Sequence, residues 1–200
     1  MTKHPLILPY DTVIIYDTEY TTWKGALERN WSDPNEYKEI VQIGAVRIET
    51  QNFKELDSFS VFVQPVKNPR LSDFFIALTD ITQEQVDTQG MSFPNAIAKF
   101  FDWSNSFHLY AYGTDADTLR ENANLLGISF PFDFSRFHNI REIFRAHGID
   151  DSKYMSSTIV EAFSHMSNRR GHDGLNDART IVDGLRLLKV RIGKSERNRG

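Results

Sequence analysis

The chain of 200 residues contains no cysteine. Disulfide bonds, thiolate metal sites and cysteine nucleophiles are therefore excluded, so any bound metal must be held by oxygen or imidazole ligands. The sequence also lacks a long apolar run, a glycine-rich phosphate-binding loop and a Gly-x-Ser-x-Gly motif. These absences argue against a membrane-spanning helix, a P-loop nucleotide enzyme and a serine hydrolase with a nucleophile elbow.

The first residues of the given sequence do not have the pattern of a targeting signal. Residues 1–9 are too short and too broken by proline for a secretion signal, and we therefore expect a cytoplasmic protein that does not bind membranes. The net charge of −4 does not suit a protein that holds long duplexes by bulk electrostatics. Basic residues gather near the end of the chain, and we expect residues 190–200 to be a flexible tail of one domain that covers residues 1–200.

Apolar runs and amphipathic segments alternate along the chain. Their length and their β-branched content predict strands at residues 11–17, 40–48, 53–63, 107–112 and 134–140. Helical spacing and capping residues predict helices at residues 71–78, after the N-cap Thr82, and at 93–103, 115–126, 141–147, 156–166 and 174–190. Residues 20–36 show no clear period and predict a loop or lid over the end of the first strand. This order indicates an α/β fold in which helices flank a mixed β-sheet.

Two groups of acidic residues lie far apart in the sequence but suit one reaction. Asp17 and Glu19 follow the first apolar run, and His172 precedes Asp177 at the start of the last helix. Carboxylates two residues apart on an extended segment can face the same side and share two Mg²⁺ or Mn²⁺ ions. Two such ions stabilise the charge that develops in phosphodiester hydrolysis, and a loop histidine can take a proton from the attacking water. The pattern therefore indicates metal-dependent phosphodiester hydrolysis.

A third acid is expected at the start of the helix that follows the fourth strand. Asp115 and Asp117 both stand there, and the chemistry needs only one of them. The residue types alone leave this choice open.

Three segments resemble the exonuclease motifs of the DEDDh 3′-to-5′ exonucleases, and the resemblance covers nearly the whole chain. These segments are Tyr16-Asp17-Thr18-Glu19, Tyr112-Gly113-Thr114-Asp115 and His172-x-x-x-x-Asp177-Ala178. The resemblance implies a ribonuclease H-like fold, with His172 as the general base. It also implies a set of ligands for two Mg²⁺ or Mn²⁺ ions, namely Asp17, Glu19, Asp115 and Asp177.

The resemblance also bears on the third acid and on one departure from the family pattern. Asp115 is favoured because three residues separate it from Leu119, as in the family, and Asp117 remains the alternative. Residues 78–82 resemble a family segment that helps to hold the terminal nucleotide. Asp80 stands where the family has glycine, which adds a negative charge near the expected substrate.

The activity that the resemblance implies is that of a metal-dependent 3′-to-5′ exonuclease. It would act on single-stranded RNA or DNA 3′ ends or short oligonucleotides and would release nucleoside 5′-monophosphates. Four residues are expected to bind the terminal nucleotide: Tyr20, Thr21, Leu78 and Thr79. The alternatives are a non-catalytic module on the same fold that binds nucleic acid or protein, and a proofreading subunit held by a polymerase. The sequence does not choose between RNA and DNA, or between a monomer and a homodimer.

Overall fold

The computed structural model of the chain describes residues 8–197, apart from the side chain of Glu196. Its central element is a sheet of six strands: β1 (Thr12–Tyr20), β2 (Ile40–Glu49), β3 (Lys54–Gln64), β4 (Met91–Ser92), β5 (His108–Ala111) and β6 (Phe137–Asn139). Their order across the sheet is β4-β3-β2-β1-β5-β6. The first three strands form an antiparallel meander, whereas β5 is parallel to β1, and β6 is parallel to β5. The predicted sheet of mixed direction is confirmed.

Six α-helices flank this sheet in the part of the chain that the structure describes. They are α1 (Asp73–Thr79), α2 (Gln83–Gln89), α3 (Phe93–Ser104), α4 (Asp115–Leu125), α5 (Arg141–Ala146) and α6 (Gly174–Arg197). The predicted cap of α2 is confirmed, because the Thr82 hydroxyl accepts from the Gln85 backbone while the Gln85 side chain accepts from the Thr82 backbone. Within residues 8–197, no helix combines the length and the apolar composition needed to cross a membrane.

The alternation of side chains along β1 determines which residues meet α6. Val13 and Ile15 pack with Leu185 of α6 on one face of the sheet, whereas Ile14 and Tyr16 belong to the core on the opposite face. A strand that is buried on both faces is expected to be apolar at every position, which is why this segment reads as a continuous run. Because the side-chain period of a strand is two, residues 17 and 19 continue the row that faces α6.

Several boundaries differ from the sequence prediction. The first strand does not end at residue 17, because its pairing with β2 continues to Tyr20 opposite Ile40. The helix predicted at residues 156–166 is wrong: the segment contains only a short 3₁₀ helix, Ile159–Phe163, which ends at Ser164 in the left-handed region. The extended segment predicted at residues 134–140 begins with another 3₁₀ helix, Phe134–Arg136.

The end of the chain also differs from the prediction of a flexible tail from residue 190. The helix α6 instead continues through Arg197. Partly buried Ile192 packs against the same core as the rest of the helix, which extends its apolar face past residue 190. Residues 198–200 of the predicted tail lie outside the described residues.

A glycine in β2 allows α6 to approach the sheet closely. Gly44 pairs with Asp17 of β1, and a Cβ added to Gly44 would lie 2.0 Å from the backbone nitrogen of Leu175. The same Cβ would lie 2.2 Å from the carbonyl carbon of Gly174. Both neighbours are backbone atoms in a packed element and have no flexible end that could move aside. The first turn of α6 therefore rests directly on the paired strands β1 and β2.

We expect the substitution Gly44→Ala to destabilise the fold by about 3 kcal/mol or more, because the added methyl group must displace the backbone of α6. Chemical denaturation monitored by circular dichroism measures this change. Gly193→Ala is the matched control, since a Cβ at Gly193 meets nothing within 4 Å. That helical variant should be unchanged, or more stable by up to about 1 kcal/mol. Equal stability of the two variants would contradict the steric account.

Candidate active site

Five predicted residues from three distant segments meet in one cavity of about 670 Å³. Asp17 and Glu19 extend from β1 on the face towards α6, and Asp177 lies in the first turn of α6. Asp115 begins α4, just beyond the end of β5, and His172 lies in the loop before α6. We refer to the four carboxylates as the acidic cluster: Asp17, Glu19, Asp115 and Asp177. The parallel pairing of β1 with β5 explains why two of these segments end at the same edge of the sheet.

The acidic cluster is largely removed from solvent. Asp17, Glu19 and Asp177 are 7%, 8% and 2% exposed. Single ligand atoms of Glu19, His172 and Asp177 all lie within 4.8 Å of one another, so these three side chains could hold a metal ion. Oδ1 of Asp177 is buried and has no hydrogen-bond partner within the described residues. A buried carboxylate oxygen without a partner is costly, and a cation would satisfy it.

Burial and mutual repulsion disfavour the charged forms of these acids. Burial raises the pKa of Asp17 well above its ordinary value, and the charges of Asp115 and Asp177 raise it further. Burial likewise raises the pKa of Glu19, and the charge of Asp177 raises it further. Burial raises the pKa of Asp177 to about 7, although hydrogen bonds from His172 and Ser156 act in the opposite direction. Clustered carboxylates that resist ionisation are typical of a site completed by cations.

The two candidate third acids differ in their contacts. Oδ1 of Asp115 accepts hydrogen bonds from the backbone nitrogen of Thr18 at 3.1 Å and from its hydroxyl at 2.6 Å. Because Thr18 lies between the two acids of β1, this contact ties α4 to that segment. Asp117 instead forms an ion pair with Arg120 at 2.6 Å and is absent from the cavity wall. The structure therefore places Asp115 in the cluster.

The loop that carries His172 is held at its junction with α6. The His172 backbone nitrogen donates to Oδ2 of Asp177 at 3.2 Å, and the residue has a positive φ of 60°. The side chain of Gln42 donates to Asp173 at 3.0 Å and accepts from the backbone nitrogen of Gly174 at 2.8 Å. Burial, followed by the positive charge of Arg170, lowers the pKa of the His172 imidazole. A lowered pKa favours the neutral ring, which can accept a proton.

Sequence reasoning missed two side chains that fix this part of the site. Gln42, near the start of β2, is only 1% exposed, and Ser156 donates to Oδ2 of Asp177 at 3.3 Å. A glutamine within an apolar strand pattern is a signal, because a buried amide requires partners. Ser156 carries no comparable signal, since serine is common in loops.

Only two of the four residues expected to bind substrate line the cavity within the described part of the chain. Tyr20 and Leu78 form part of its wall, whereas Thr21 and Thr79 do not. The Thr21 hydroxyl donates to the carbonyl of Tyr37, and the Thr79 hydroxyl donates to the carbonyl of Phe75 at 2.9 Å. These two buried hydroxyls stabilise the local backbone, which the motif alone does not reveal.

Asp80 occupies the position where the family pattern has glycine. It ends α1 in the left-handed conformation with φ at 61°, a conformation that aspartate tolerates better than most residues. Its carboxylate forms an ion pair with Arg170, two residues before His172. The added negative charge is therefore paired.

The loop predicted over the end of the first strand forms an apolar wall of the cavity. Trp23, Leu27 and Trp31 belong to this loop, and Phe74 of α1 joins them in the cavity wall. Leu27 is 66% exposed and Phe74 is 41% exposed, so both present apolar surface that a ligand could cover. Isolated aromatic residues in a loop carry no periodicity, so the sequence alone does not distinguish such a wall from core packing.

Comparison with known proteins agrees with this geometry. The RNase T exonuclease family model matches residues 14–185. Rat 3′-5′ exoribonuclease 1 is 29% identical over 193 residues, which cover 90% of this chain and 54% of that protein. The Drosophila melanogaster 3′-5′ exonuclease Snipper is 27% identical, with coverage of 96% of this chain and 73% of that protein. The chain thus spans about half the length of the exoribonuclease 1 relatives.

Solved structures show the same architecture. The nuclease domain of 3′hExo, a DEDDh family member bound to rAMP, superposes with a TM-score of 0.77 at 28% identity and covers 90% of this chain and 93% of that domain. A 3′-exonuclease in 3′-end specific recognition of a histone mRNA stem-loop gives a TM-score of 0.78 at 26% identity, over 93% of this chain and 66% of that one. The resemblance seen in the motifs is confirmed, and the chain belongs to the RNase T exonuclease family, with the fold of the DEDDh nucleases.

Proposed function

We propose that the protein is a metal-dependent 3′-to-5′ exonuclease that removes nucleoside 5′-monophosphates from single-stranded nucleic acid. The observation that carries this proposal is the convergence of four carboxylates and one imidazole from distant segments in a single cavity. A module that only binds nucleic acid has no use for four buried carboxylates whose charges repel one another. Relatives named exoribonuclease support RNA as the preferred substrate.

The acidic cluster fits two Mg²⁺ or Mn²⁺ ions. These ions prefer oxygen ligands, and the cluster supplies four carboxylates, including the unpartnered Oδ1 of Asp177. The raised pKa values of Asp17 and Glu19 arise from burial and from neighbouring negative charges, an effect that bound cations would offset. When bound, the ions supply electrostatic stabilisation of the charge that develops on the transferring phosphate.

His172 would act as the general base. Its lowered pKa favours the neutral imidazole, and Gln42 holds the loop in which it lies. In the proposed reaction the ring accepts a proton from the water that attacks the last phosphorus. The bond from that phosphorus to the 3′ oxygen of the preceding nucleotide breaks. The 3′ oxygen of the shortened strand takes up a proton from solvent and becomes a 3′ hydroxyl, and the terminal nucleotide leaves as a 5′-monophosphate.

The apolar wall fits the terminal base. Trp23, Leu27, Trp31 and Phe74 supply flat or apolar surface in the same cavity as the acidic cluster. Stacking of a base on such side chains is tolerant of base identity, because every base has a π-face. A 3′ end of any sequence would therefore be accepted, provided that it is single-stranded.

We expect Asp17→Asn and His172→Ala each to reduce exonuclease activity by about 10²- to 10⁴-fold, since each removes a group that acts on the transferring phosphate or the attacking water. Digestion of 5′-labelled single-stranded RNA and DNA of one sequence, with Mn²⁺ or with EDTA, measures the loss and compares the two sugars. His147→Ala is the matched control, because His147 is exposed and lies outside the cavity wall. If the wild type binds both strands but shortens neither, a non-catalytic binding module replaces this proposal.

Substitution of the two candidate third acids should change exonuclease activity to different extents. Asp115→Asn is expected to lower activity at least about 100-fold, because it removes a carboxylate from the cluster, whereas Asp117→Asn should stay within a few-fold of wild type. Steady-state rates on one labelled oligonucleotide at saturating Mn²⁺ give both values. The reverse order of the two losses would assign the third acid to Asp117.

Divalent metal should stabilise the protein in the absence of any substrate. At saturating Mn²⁺ we expect the Tm to rise by about 5–10 °C and the rise to vanish with EDTA, because a ligand that binds only the folded state stabilises it. Differential scanning fluorimetry at pH 8 measures this shift. Asp177→Asn should raise the Tm in EDTA, since it removes a buried charge, and should reduce the shift caused by metal. Asp117→Asn should keep the full shift, and an equal shift in both variants would argue against metal binding by Asp177.

A further inference from the structure

The charges that line the cavity are unevenly distributed. Five carboxylates lie in its wall: Asp17, Glu19, Glu28, Asp115 and Asp177. Among the described residues of the wall, Lys24 and Arg141 are the permanent cations. A strand of nucleic acid carries one negative charge for each phosphate, and an acidic wall repels every phosphate that the metal ions do not hold. The two cations therefore mark where other phosphates can be accommodated.

The two cations lie towards different parts of the cavity. Lys24 stands next to Trp23 in the loop that forms the apolar wall, where the proposed function places the terminal base. The α1 part of this wall packs on the β2–β3 side of the sheet, through Phe75 and Val41. Arg141 begins α5 directly after β6, the strand at the other edge. The acidic cluster, on β1 and beside β5, lies between the apolar wall and Arg141.

The guanidinium of Arg141 is held in place before any ligand arrives. Its Nε donates to Oδ2 of Asp151 at 2.7 Å, and its Nη2 donates to the Asp151 carbonyl at 3.2 Å. The ring of Tyr112 lies 5.3 Å from the guanidinium carbon, and the Tyr112 hydroxyl donates to the same carbonyl at 3.0 Å. Within residues 8–197, Nη1 of Arg141 makes no hydrogen bond that would occupy it. An arginine fixed in this way loses little conformational entropy when it binds a further group.

The charge of Arg141 is only partly neutralised by its partner. Asp151 is 4% exposed and also accepts two hydrogen bonds from Arg145, at 2.9 Å and 3.0 Å. One carboxylate is therefore shared by two guanidinium groups, which leaves a net positive charge. The Arg145 side chain is 63% exposed and is absent from the cavity wall, whereas that of Arg141 is 31% exposed and belongs to it. Exposed Glu142, the next residue along α5, is also absent from the described wall.

We propose that Arg141 binds a backbone phosphate of the nucleic-acid strand upstream of the scissile bond, an inference that rests on the proposed function. The terminal base lies against the apolar wall, the scissile phosphate lies at the acidic cluster, and the strand continues towards β6. A guanidinium can contact two phosphate oxygens with its planar fork, which an ammonium cannot do. Arg141 thus makes the enzyme distinguish strands with several phosphodiesters from substrates that have only one.

The experiment compares a substrate of each kind. The p-nitrophenyl ester of thymidine 5′-monophosphate has one phosphodiester, and a single-stranded RNA of six nucleotides has five. For Arg141→Gln we expect KM for the RNA to rise about 5- to 20-fold, in keeping with the loss of one charge-assisted contact at a partly exposed site. The kinetic constants for the nitrophenyl ester should remain those of the wild type. Arg141→Lys should recover part of the lost affinity, because it keeps the charge but not the fork.

Arg145→Gln is the matched control, since it also removes hydrogen bonds to Asp151 but lies outside the cavity wall. It should leave both substrates within about two-fold of wild type. Thermal unfolding of both variants reports any loss of stability that they share. A fall in kcat by the same factor on both substrates in Arg141→Gln, or an RNA KM equal to that of the wild type, would overturn the assignment.

A binding measurement tests Arg141 independently of catalysis. The affinity of a fluorescein-labelled RNA of six nucleotides is measured by anisotropy, with Ca²⁺ in place of the catalytic ion. Arg141→Gln should weaken binding about 5- to 20-fold and reduce the slope of log Kd against log salt by about 0.7, the value for one phosphate contact on a single strand. An unchanged slope would overturn the assignment. A wild type that binds this RNA but cleaves neither substrate would refute the exonuclease proposal, while the slope would still decide the contact.

Discussion

The arrangement of the site depends on one steric constraint, the close approach of the start of α6 to the paired strands β1 and β2. Gly44 and Gly174 lie at this contact, and a Cβ on Gly174 would be 3.0 Å from the carbonyl oxygen of Asp17. Because neither glycine has a side chain, the backbones of helix and strands meet directly. Asp177, in the first turn of the helix, is thereby brought to the acids of β1. The geometry of the acidic cluster follows from the packing of regular elements rather than from the conformation of a loop.

This packing has an electrostatic cost that the surrounding residues offset in part. Hydrogen bonds from Thr18 stabilise the ionised form of Asp115, and the His172 backbone and Ser156 do the same for Asp177. The hydrophobic cores on the two faces of the sheet supply the stability that allows charges to be buried between them. Apolar packing of the whole domain therefore stabilises the fold that holds the cluster, and a few hydrogen-bond donors stabilise its carboxylates locally. The repulsion that remains between the carboxylates favours the binding of cations.

Much of the fold was predictable from local pattern. The run rich in β-branched residues at 11–17 indicated a buried strand, and the Thr82 cap marked the start of α2. A helix was wrongly predicted at residues 156–166 because the serines at its start resemble helix caps. Its two buried apolar residues, Ile159 and Val160, are adjacent rather than spaced by a helical turn. The end of β1 was placed too early, because strand length here is decided by pairing with β2.

The members of the site differ in how far the sequence revealed them. Asp17, Glu19, His172 and Asp177 could be grouped because each motif combines chemically related residues at short spacing. The roles of Thr21 and Thr79 could not be judged, since whether a threonine hydroxyl faces a cavity or the local backbone depends on tertiary structure. Nothing in the sequence indicated a role for Arg141, because its contact with Asp151 and its place in the cavity wall arise only from the tertiary fold.

The ion pair between Asp80 and Arg170 links two walls of the cavity that are otherwise separate in sequence. Asp80 ends the helix that carries Leu78, and Arg170 lies two residues before His172 in the same loop. Both partners are about half exposed or more, and pairs of this kind contribute roughly 0–1 kcal/mol. A link of that strength is broken and remade by thermal motion many times in a second. The ion pair therefore favours this relative position of the two walls only slightly and does not fix it.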